Sequence, residues 1–200
     1  MRSSTNGGYD FAADPNLPAP KARALWDPRI DPSVVVLQRV PEVLSGAEEP
    51  TILPEGTTRR AEDGLHHLLE VGGQRRLHLL HSDPSADAQA AVVPLDQDGF
   101  ARLDAVYRLL AQLHGRSVPV DKRLTRQKRL RAKRMLRAYD GRLAGASQRE
   151  IAEVIFHLPQ VSRDEWQSAS ERFAVMALLR DARKMVNGRY LKLLGPQGHG

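Results

Sequence analysis

The sequence predicts an α+β fold, in which a small antiparallel β-sheet with one packed helix precedes an all-helical module. Short β-branched runs separated by turn residues fill the first half of the chain. From Gly99 onward, apolar residues recur at three- and four-residue steps, as they do on one face of a helix. The charge also divides, because residues 1–120 carry a net −4 and residues 121–200 a net +10, within the +6 of the whole chain.

The chain begins with a segment that predicts an arm rather than a packed element. Residues 1–32 are rich in closely spaced prolines and short polar stretches, a composition typical of an extended arm. Trp26 and Ile30 could pin this arm to a core. Residues 33–117 then predict a small β-rich module that ends in an amphipathic helix.

Three sheet segments and one helix are expected in this β-rich module. Residues 33–40 are β-branched and predict a strand, and two apolar runs around residues 72–74 (Gly-Gly-Gln) predict a β-hairpin. Residues 90–96 predict another short strand, in which Pro94 favours an edge position. The helix would pack on the sheet through one apolar face, formed by Phe100, Leu103, Val106, Tyr107, Leu110 and Leu113.

Residues 118–194 predict a basic helical domain, and residues 195–200 a disordered tail. Its first helix, residues 122–143, carries arginines and lysines on most of its surface. Its last helix ends near Asn187 and precedes an apolar segment that would fold back. The predicted core positions of these two helices are Leu124, Leu130, Met135, Leu136, Tyr139 and Leu143, and Phe173, Met176, Ala177, Leu179, Ala182 and Val186.

A short capped helix between these two predicts a helix-turn-helix-like arrangement. Residues 147–150 (Ser-Gln-Arg-Glu) match a capping box, and residues 162–165 and 168–171 offer two further caps. The Glu150-Ile151-Ala152 triplet would let the next helix cross closely over alanine. The connection after this helix exceeds the usual turn of 3–4 residues, so we expect an extra turn at residues 163–166, with Trp166 as a core anchor.

Several classes of protein are disfavoured by what the sequence lacks. There are no cysteines, which excludes disulfides and thiolate metal sites and fits a reducing cytoplasm. No apolar run approaches the length of a membrane span, and residues 1–20 have no apolar segment, so we do not expect them to act as a secretory signal. Adjacent histidines on a strand point to opposite faces, so a metal site is not expected at His66, His67, His78 and His81. Phosphate-loop and hydrolase motifs are absent, so we expect neither a cofactor nor an enzyme.

The second half of the chain resembles the DNA-binding domain of the RovC type. This family occurs in transcriptional activators of type VI secretion and in regulators carried on integrative conjugative elements of proteobacteria. The resemblance rests on residues 140–152 (DGRLAGASQREIA), Trp166 and residues 187–194 (NGRYLKLL). Residues 26–37 and the strand-rich middle also resemble the longer members, so the resemblance covers about residues 9–194. Asn187 departs from the glycine that many members carry there, and many longer members have a further N-terminal domain.

The resemblance implies promoter binding to double-stranded DNA, without a cofactor. Basic side chains of the long helix would contact phosphates, and polar residues at the start of the last helix would read bases. The candidate DNA-binding residues are Arg123, Arg126, Lys128, Arg129, Lys133, Arg134, Arg149, Arg163, Gln167, Ser168, Ser170 and Arg172.

Two other readings remain open from the sequence. The helical domain could dock on a partner regulator as an antiactivator or co-regulator, using an apolar strip of Ala174, Val175 and Leu178. It could also bind RNA. We further expect a homo-oligomer with the β-rich module as interface, and RNA polymerase as a possible partner of the acidic half.

Overall fold

The computed structural model describes residues 24–44, 52–71, 75–86, 89–121, 123–160 and 162–195. They divide into two compact units on either side of Val120. We call residues 24–120 the sheet unit and residues 121–193 the helical unit. The predicted α+β class, with the sheet first and the helices after it, is confirmed.

Some sequence predictions fall outside the described residues. They include most of the N-terminal arm, the hairpin turn at residues 72–74, Lys122 and the tail after Gly195. Within the end of the arm, Leu25 is buried, whereas Ile30 is exposed. The domain boundaries at residues 32, 117 and 194 stay predictions.

The sheet unit contains a five-stranded mixed sheet in the order β2-β3-β4-β1-β5. Its strands are β1 Val34–Arg39, β2 Gly56–Ala61, β3 Gly64–Val71, β4 Arg75–His81 and β5 Gln89–Val92. A short 3-10 helix, Glu42–Leu44, follows β1.

The β1–β4 pairing is parallel, and the other three pairings are antiparallel. The prediction of an antiparallel sheet is therefore wrong for the β1–β4 pairing. The run Val34–Leu37 is largely buried. It occupies an inner position between β4 and β5, where both of its backbone edges find partners.

Strand β2 was not predicted, although the sequence carried a signal for it. A two-residue loop, Glu62-Asp63, joins β2 to β3, and Gly64 follows with φ +142°. A Cβ atom at Gly64 would collide with the carbonyl oxygen of His81. The Asp-Gly pair between β-branched and apolar runs is the usual sequence mark of a tight hairpin.

Helix α1, Gly99–Leu113, packs on β1 and β4. Ala105 and Leu109 face the buried side chains of Val35, Leu69 and Leu79. Most of the predicted packing face is wrong: Phe100, Leu103, Tyr107 and Leu110 are exposed, and only Val106 and Leu113 are partly buried against this core. The helix is apolar on several sides, and the small Ala105 packs against the sheet, which leaves the bulkier side chains outside.

A histidine pair is buried on β3 and β4 of the sheet. His66 Nε2 lies 3.1 Å from the Asp63 carboxylate, and His66 Nδ1 lies 2.8 Å from His78 Nε2. If Nε2–H of His66 donates to Asp63, His66 Nδ1 accepts from Nε2–H of His78. The buried Nδ1 of His78 then has no hydrogen-bond partner among the described residues. Burial, reinforced by His66, lowers the pKa of His78 to about 3.

We predict that the sheet unit loses stability in mild acid. The unfolded chain protonates His78 below about pH 6.5, whereas the folded chain keeps it neutral until about pH 3. The stability contributed by this group is therefore fully present only above about pH 7.5, and on the order of 2 kcal/mol of the free energy of unfolding is lost by pH 5. Burial also lowers the pKa of His67 and His81, which adds to the loss.

Chemical denaturation followed by Trp26 fluorescence, in a Trp166→Phe background, measures this loss for the sheet unit alone. His78→Gln keeps a donor near His66 and cannot titrate, so it should flatten the pH dependence. His114→Gln, at an exposed histidine, should leave it unchanged. A His78→Gln protein with the full wild-type slope would contradict the account.

The helical unit consists of four α-helices and a final 3-10 helix. They are α2 Arg126–Leu143, α3 Gln148–Phe156, α4 Arg163–Ser168, α5 Ser170–Val186 and the 3-10 helix Arg189–Leu193. Its core is formed by Met135, Ala138, Ile151, Ala152, Ile155, Val175, Leu178, Leu179 and Ala182. The final 3-10 helix contacts α5, as the predicted fold-back requires.

The buried faces of α2 and α5 are partly those that we predicted. Met135, Tyr139, Leu179 and Ala182 contribute to the core as expected. Six predicted core residues are exposed instead: Leu130, Leu136, Leu143, Phe173, Met176 and Val186. Both helices are apolar on more than one side, so the periodicity of apolar residues does not show which side is buried. The buried sides are those that carry the small residues Ala138 and Ala182.

Candidate nucleic-acid interface

Helix α2 carries a continuous line of positive charge on its exposed side. Eight of its eighteen residues are lysine or arginine and one is aspartate. Arg126, Arg129, Lys133 and Arg137 follow one another at three- and four-residue steps, and all four are exposed. We call these four residues the basic row.

The basic row has no acidic partner among the described residues, and neither has the exposed Arg134 next to it. Its three like-charge neighbour pairs each cost roughly 0.2–0.5 kcal/mol of helix stability. A polyanion would remove that cost. Arg131, by contrast, faces α5 and pairs with Asp181 at 2.6 Å.

The other residues predicted to contact phosphates differ in their exposure and in how close they lie to a carboxylate. Arg123 is held by Asp121 through two nitrogens, Nε at 3.0 Å and Nη2 at 2.8 Å from Oδ2. Arg149, in the first turn of α3, lies 3.8 Å from Glu153. Lys128 and Arg163 are exposed near the starts of α2 and α4.

Two predicted capping boxes form and fix the starts of α3 and α4. Ser147 and Glu150 exchange hydrogen bonds at the start of α3, as do Ser162 and Glu165 at α4. The Ser147 backbone N–H is the first cause that holds the pKa of Glu150 below its usual value. Helix α3 ends at His157 in the left-handed region, φ 56°.

The extra turn predicted at residues 163–166 is present as α4. Trp166 packs against the core of the helical unit, which confirms its expected role as an anchor. The third predicted cap is wrong, because α5 starts after Ala169 and has no side-chain cap. Ser168 instead donates to the Glu165 carbonyl at 3.2 Å.

The predicted base-reading residues come together where α4 meets α5. Gln167, Ser168 and Ser170 are exposed, and Arg172 is partly buried. Arg172 Nη1 donates to the Gln167 carbonyl at 3.2 Å, and the Ser170 hydroxyl donates to Glu171 at 3.0 Å. Only the Gln167 side chain has no local hydrogen bond among the described residues.

The apolar strip expected for protein docking on α5 is wrong. Val175 is fully buried, Leu178 is buried and Ala174 is partly buried. The core side of α5 lies where we had expected an outer strip, because α2 and α3 pack against that side.

A second group of basic side chains was missed in the sequence. Arg142, Arg180 and Arg183 line a cleft of about 390 Å³ together with Gln148, Met176 and Leu179. These residues come from α2, α3 and α5, so they are separated in the chain. The only signal was a surplus of arginine in the second half of α5.

A metal site and a membrane-spanning helix are both absent from the parts of the chain that the structure describes. There, no three His, Cys, Asp or Glu side chains gather as a metal site would require. No described helix is long and apolar enough to cross a membrane.

We predict that the packing of α3 depends on a small residue at 152. Ala152 is fully buried in the core between α3 and α5. Ala152→Leu should therefore cost about 1–3 kcal/mol by overpacking. Denaturation followed by Trp166 fluorescence, in a Trp26→Phe background, measures this cost.

Val154→Leu is the matched control for Ala152→Leu, because Val154 lies on the same helix and is exposed. It should change stability by less than about 0.5 kcal/mol. Equal stability of the two variants would show that the Ala152 contact is not tight.

Comparison with known proteins identifies the family of this chain. The model of the RovC DNA-binding domain, described as a T6SS transcription factor DNA-binding domain, matches residues 92–195. No curated protein and no solved structure matches the chain. The matched range takes in α1 as well as the whole helical unit. Because it spans just over half of the chain, the protein belongs to the RovC-type family of DNA-binding transcription factors.

Proposed function

We propose that this protein is a sequence-specific transcriptional activator that binds double-stranded DNA through a helix-turn-helix-like helical unit. The observation that carries the proposal is the basic row, four like charges on one exposed side of α2 without acidic partners among the described residues. The binding of such a surface to a nucleic acid is favourable because it releases the counterions condensed on the phosphates. We propose a cytoplasmic location, where DNA is accessible.

The helix-turn-helix reading is supported by how α3 and α5 pack. Helix α3 is short, capped at Ser147 and packed against both α2 and α5. Helix α4 fills the connection to α5, so the arrangement would be a variant with an inserted turn. In this reading α5 is the recognition helix.

Within this proposal the candidate residues divide into two roles. The basic row, with Lys128, Arg134, Arg149 and Arg163, would contact phosphates and set the register on the duplex. Gln167, Ser168, Ser170 and Arg172 would approach base edges. Among these, we rank Gln167 first, because its side-chain amide is exposed and has no local hydrogen bond among the described residues.

Replacing Arg126, Arg129 and Arg134 with alanine tests the phosphate role. We predict weaker binding to every duplex and a salt slope, log Kd against log salt concentration, that is shallower by roughly three. Fluorescence anisotropy at several salt concentrations measures both. The control is alanine at Arg59, Arg60 and Arg116, which removes the same charge from exposed positions of the sheet unit.

A slope equal to that of the wild type would contradict the phosphate role of these arginines. If promoter output then changed while DNA affinity did not, a protein-binding regulator would replace the DNA-binding proposal. Preference for single-stranded or hairpin RNA over duplex DNA would likewise replace it.

We also propose that the protein acts as a homo-oligomer, with α1 of the sheet unit packed against its copy. Phe100, 82% exposed, and Leu103, Tyr107 and Leu110 form one exposed apolar line. The line is self-complementary: in an antiparallel pair of α1 helices, Phe100 meets Leu110 and Leu103 meets Tyr107. Exposed apolar patches of this kind usually mark interaction surfaces.

Light scattering tests this interface. We predict a wild-type mass that is a multiple of the monomer mass, and a monomer for Phe100→Ser combined with Tyr107→Ser. Phe173→Ser, at an exposed phenylalanine of the helical unit, should keep the wild-type mass. A wild-type monomer at all concentrations would contradict the proposal.

A further inference from the structure

The cleft between α2, α3 and α5 is lined by an unusual set of side chains. Three of its six lining residues are arginines, Arg142, Arg180 and Arg183, and none is acidic. Gln148 adds an amide, and Met176 and Leu179 add an apolar surface. We call this the arginine cleft.

The charges in the arginine cleft are only weakly compensated. The Arg183 side chain has no hydrogen bond or ion pair among the described residues, and the Arg142 side chain donates one bond, to the Ala146 carbonyl at 3.2 Å. Arg180 has Asp181 at 3.5 Å, but that carboxylate is held more closely by Arg131 at 2.6 Å. The hydrogen bond from Arg131 is also the first cause of the lowered pKa of Asp181.

The cleft also lies at the start of α3. Gln148 is the first residue of this nine-residue helix, and the Ser147–Glu150 capping box holds that end in place. The Glu150 carboxylate of this capping box offsets part of the positive end of the helix dipole, so the positive field in the cleft comes mainly from the three guanidinium groups. This combination favours an anion with several oxygens, to which arginines can donate in pairs.

The size and apolar floor of the cleft indicate more than a free anion. Its volume of about 390 Å³ falls within the range of small-ligand sites. Met176 and Leu179 give a surface on which a sugar ring would rest beside its phosphate. A sugar-phosphate unit of a nucleic acid supplies both chemistries together.

The arginine cleft is separate from the basic row. Lys133 and Arg142 are nine residues apart on α2, about two and a half helical turns, so they point to opposite sides of the helix. A phosphate in the cleft would therefore be a different one from those at the basic row.

We propose that the arginine cleft is a second phosphodiester-binding site, which holds a sugar-phosphate unit of the bound DNA through Arg142, Arg180, Arg183 and Gln148. The inference rests on the proposed DNA binding and adds a contact that the candidate residues from the sequence do not include. It assigns to the second half of α5 a contact with the DNA backbone, in addition to the base contacts proposed for the start of this helix.

The test uses the full chain with Arg142→Gln combined with Arg183→Gln. Anisotropy with labelled duplex DNA at several salt concentrations should show about tenfold weaker binding and a salt slope shallower by roughly two. Arg60→Gln combined with Arg116→Gln removes the same charge from the sheet unit and should match the wild type. Arg142→Lys combined with Arg183→Lys should restore most of the slope, because lysine keeps the charge. An unchanged melting temperature of the double glutamine variant shows that this variant has kept its fold.

Each other outcome overturns the inference in a distinguishable way. If the wild type binds DNA and the cleft variant has the same slope, the cleft inference fails while the proposed function stands. If the wild type does not bind DNA at any salt concentration, both fail. If pyrophosphate raises the melting temperature of the wild type and not of the variant, while their DNA binding is equal, the cleft belongs to a free phosphorylated molecule.

Discussion

The surface of the helical unit depends on the close packing of three helices over small residues. Ala138, Ala152 and Ala182 are all buried where α2, α3 and α5 meet. They let two arginine-rich helices approach closely, although the net charge of this half of the chain works against bringing them together. The burial of apolar side chains therefore keeps these basic helices together against the repulsion between their charges.

This packing explains why basic side chains of similar sequence context have different roles. Arg131 points toward α5 and is neutralised by Asp181. Arg129 and Lys133, each two residues away, point outward and have no acidic partner among the described residues. About half a turn of the helix thus separates a structural ion pair from a surface that can meet a polyanion. In the sheet unit, burial lowers the pKa of His78 to about 3, so this imidazole stays neutral at ordinary pH.

The sequence predicted features that depend on local rules. The strands around the hairpin, the capping boxes at Ser147 and Ser162, and the anchoring Trp166 each follow from a few neighbouring residues. It did not predict the exposed side of α1 or the arginine cleft, and it predicted the buried side of α5 only in part. Those depend on which of several apolar faces packs, and Arg142 and Arg183 meet only after α2 and α5 have paired.

The decisive measurement is the binding of the full chain to DNA from upstream of its own gene, compared with scrambled duplex over a range of salt concentrations. We expect a steep salt slope and a preference for the upstream DNA of at least about 10³-fold. Weak and equal binding to both duplexes would contradict it, and would leave the basic row as a charged surface without a sequence-specific role.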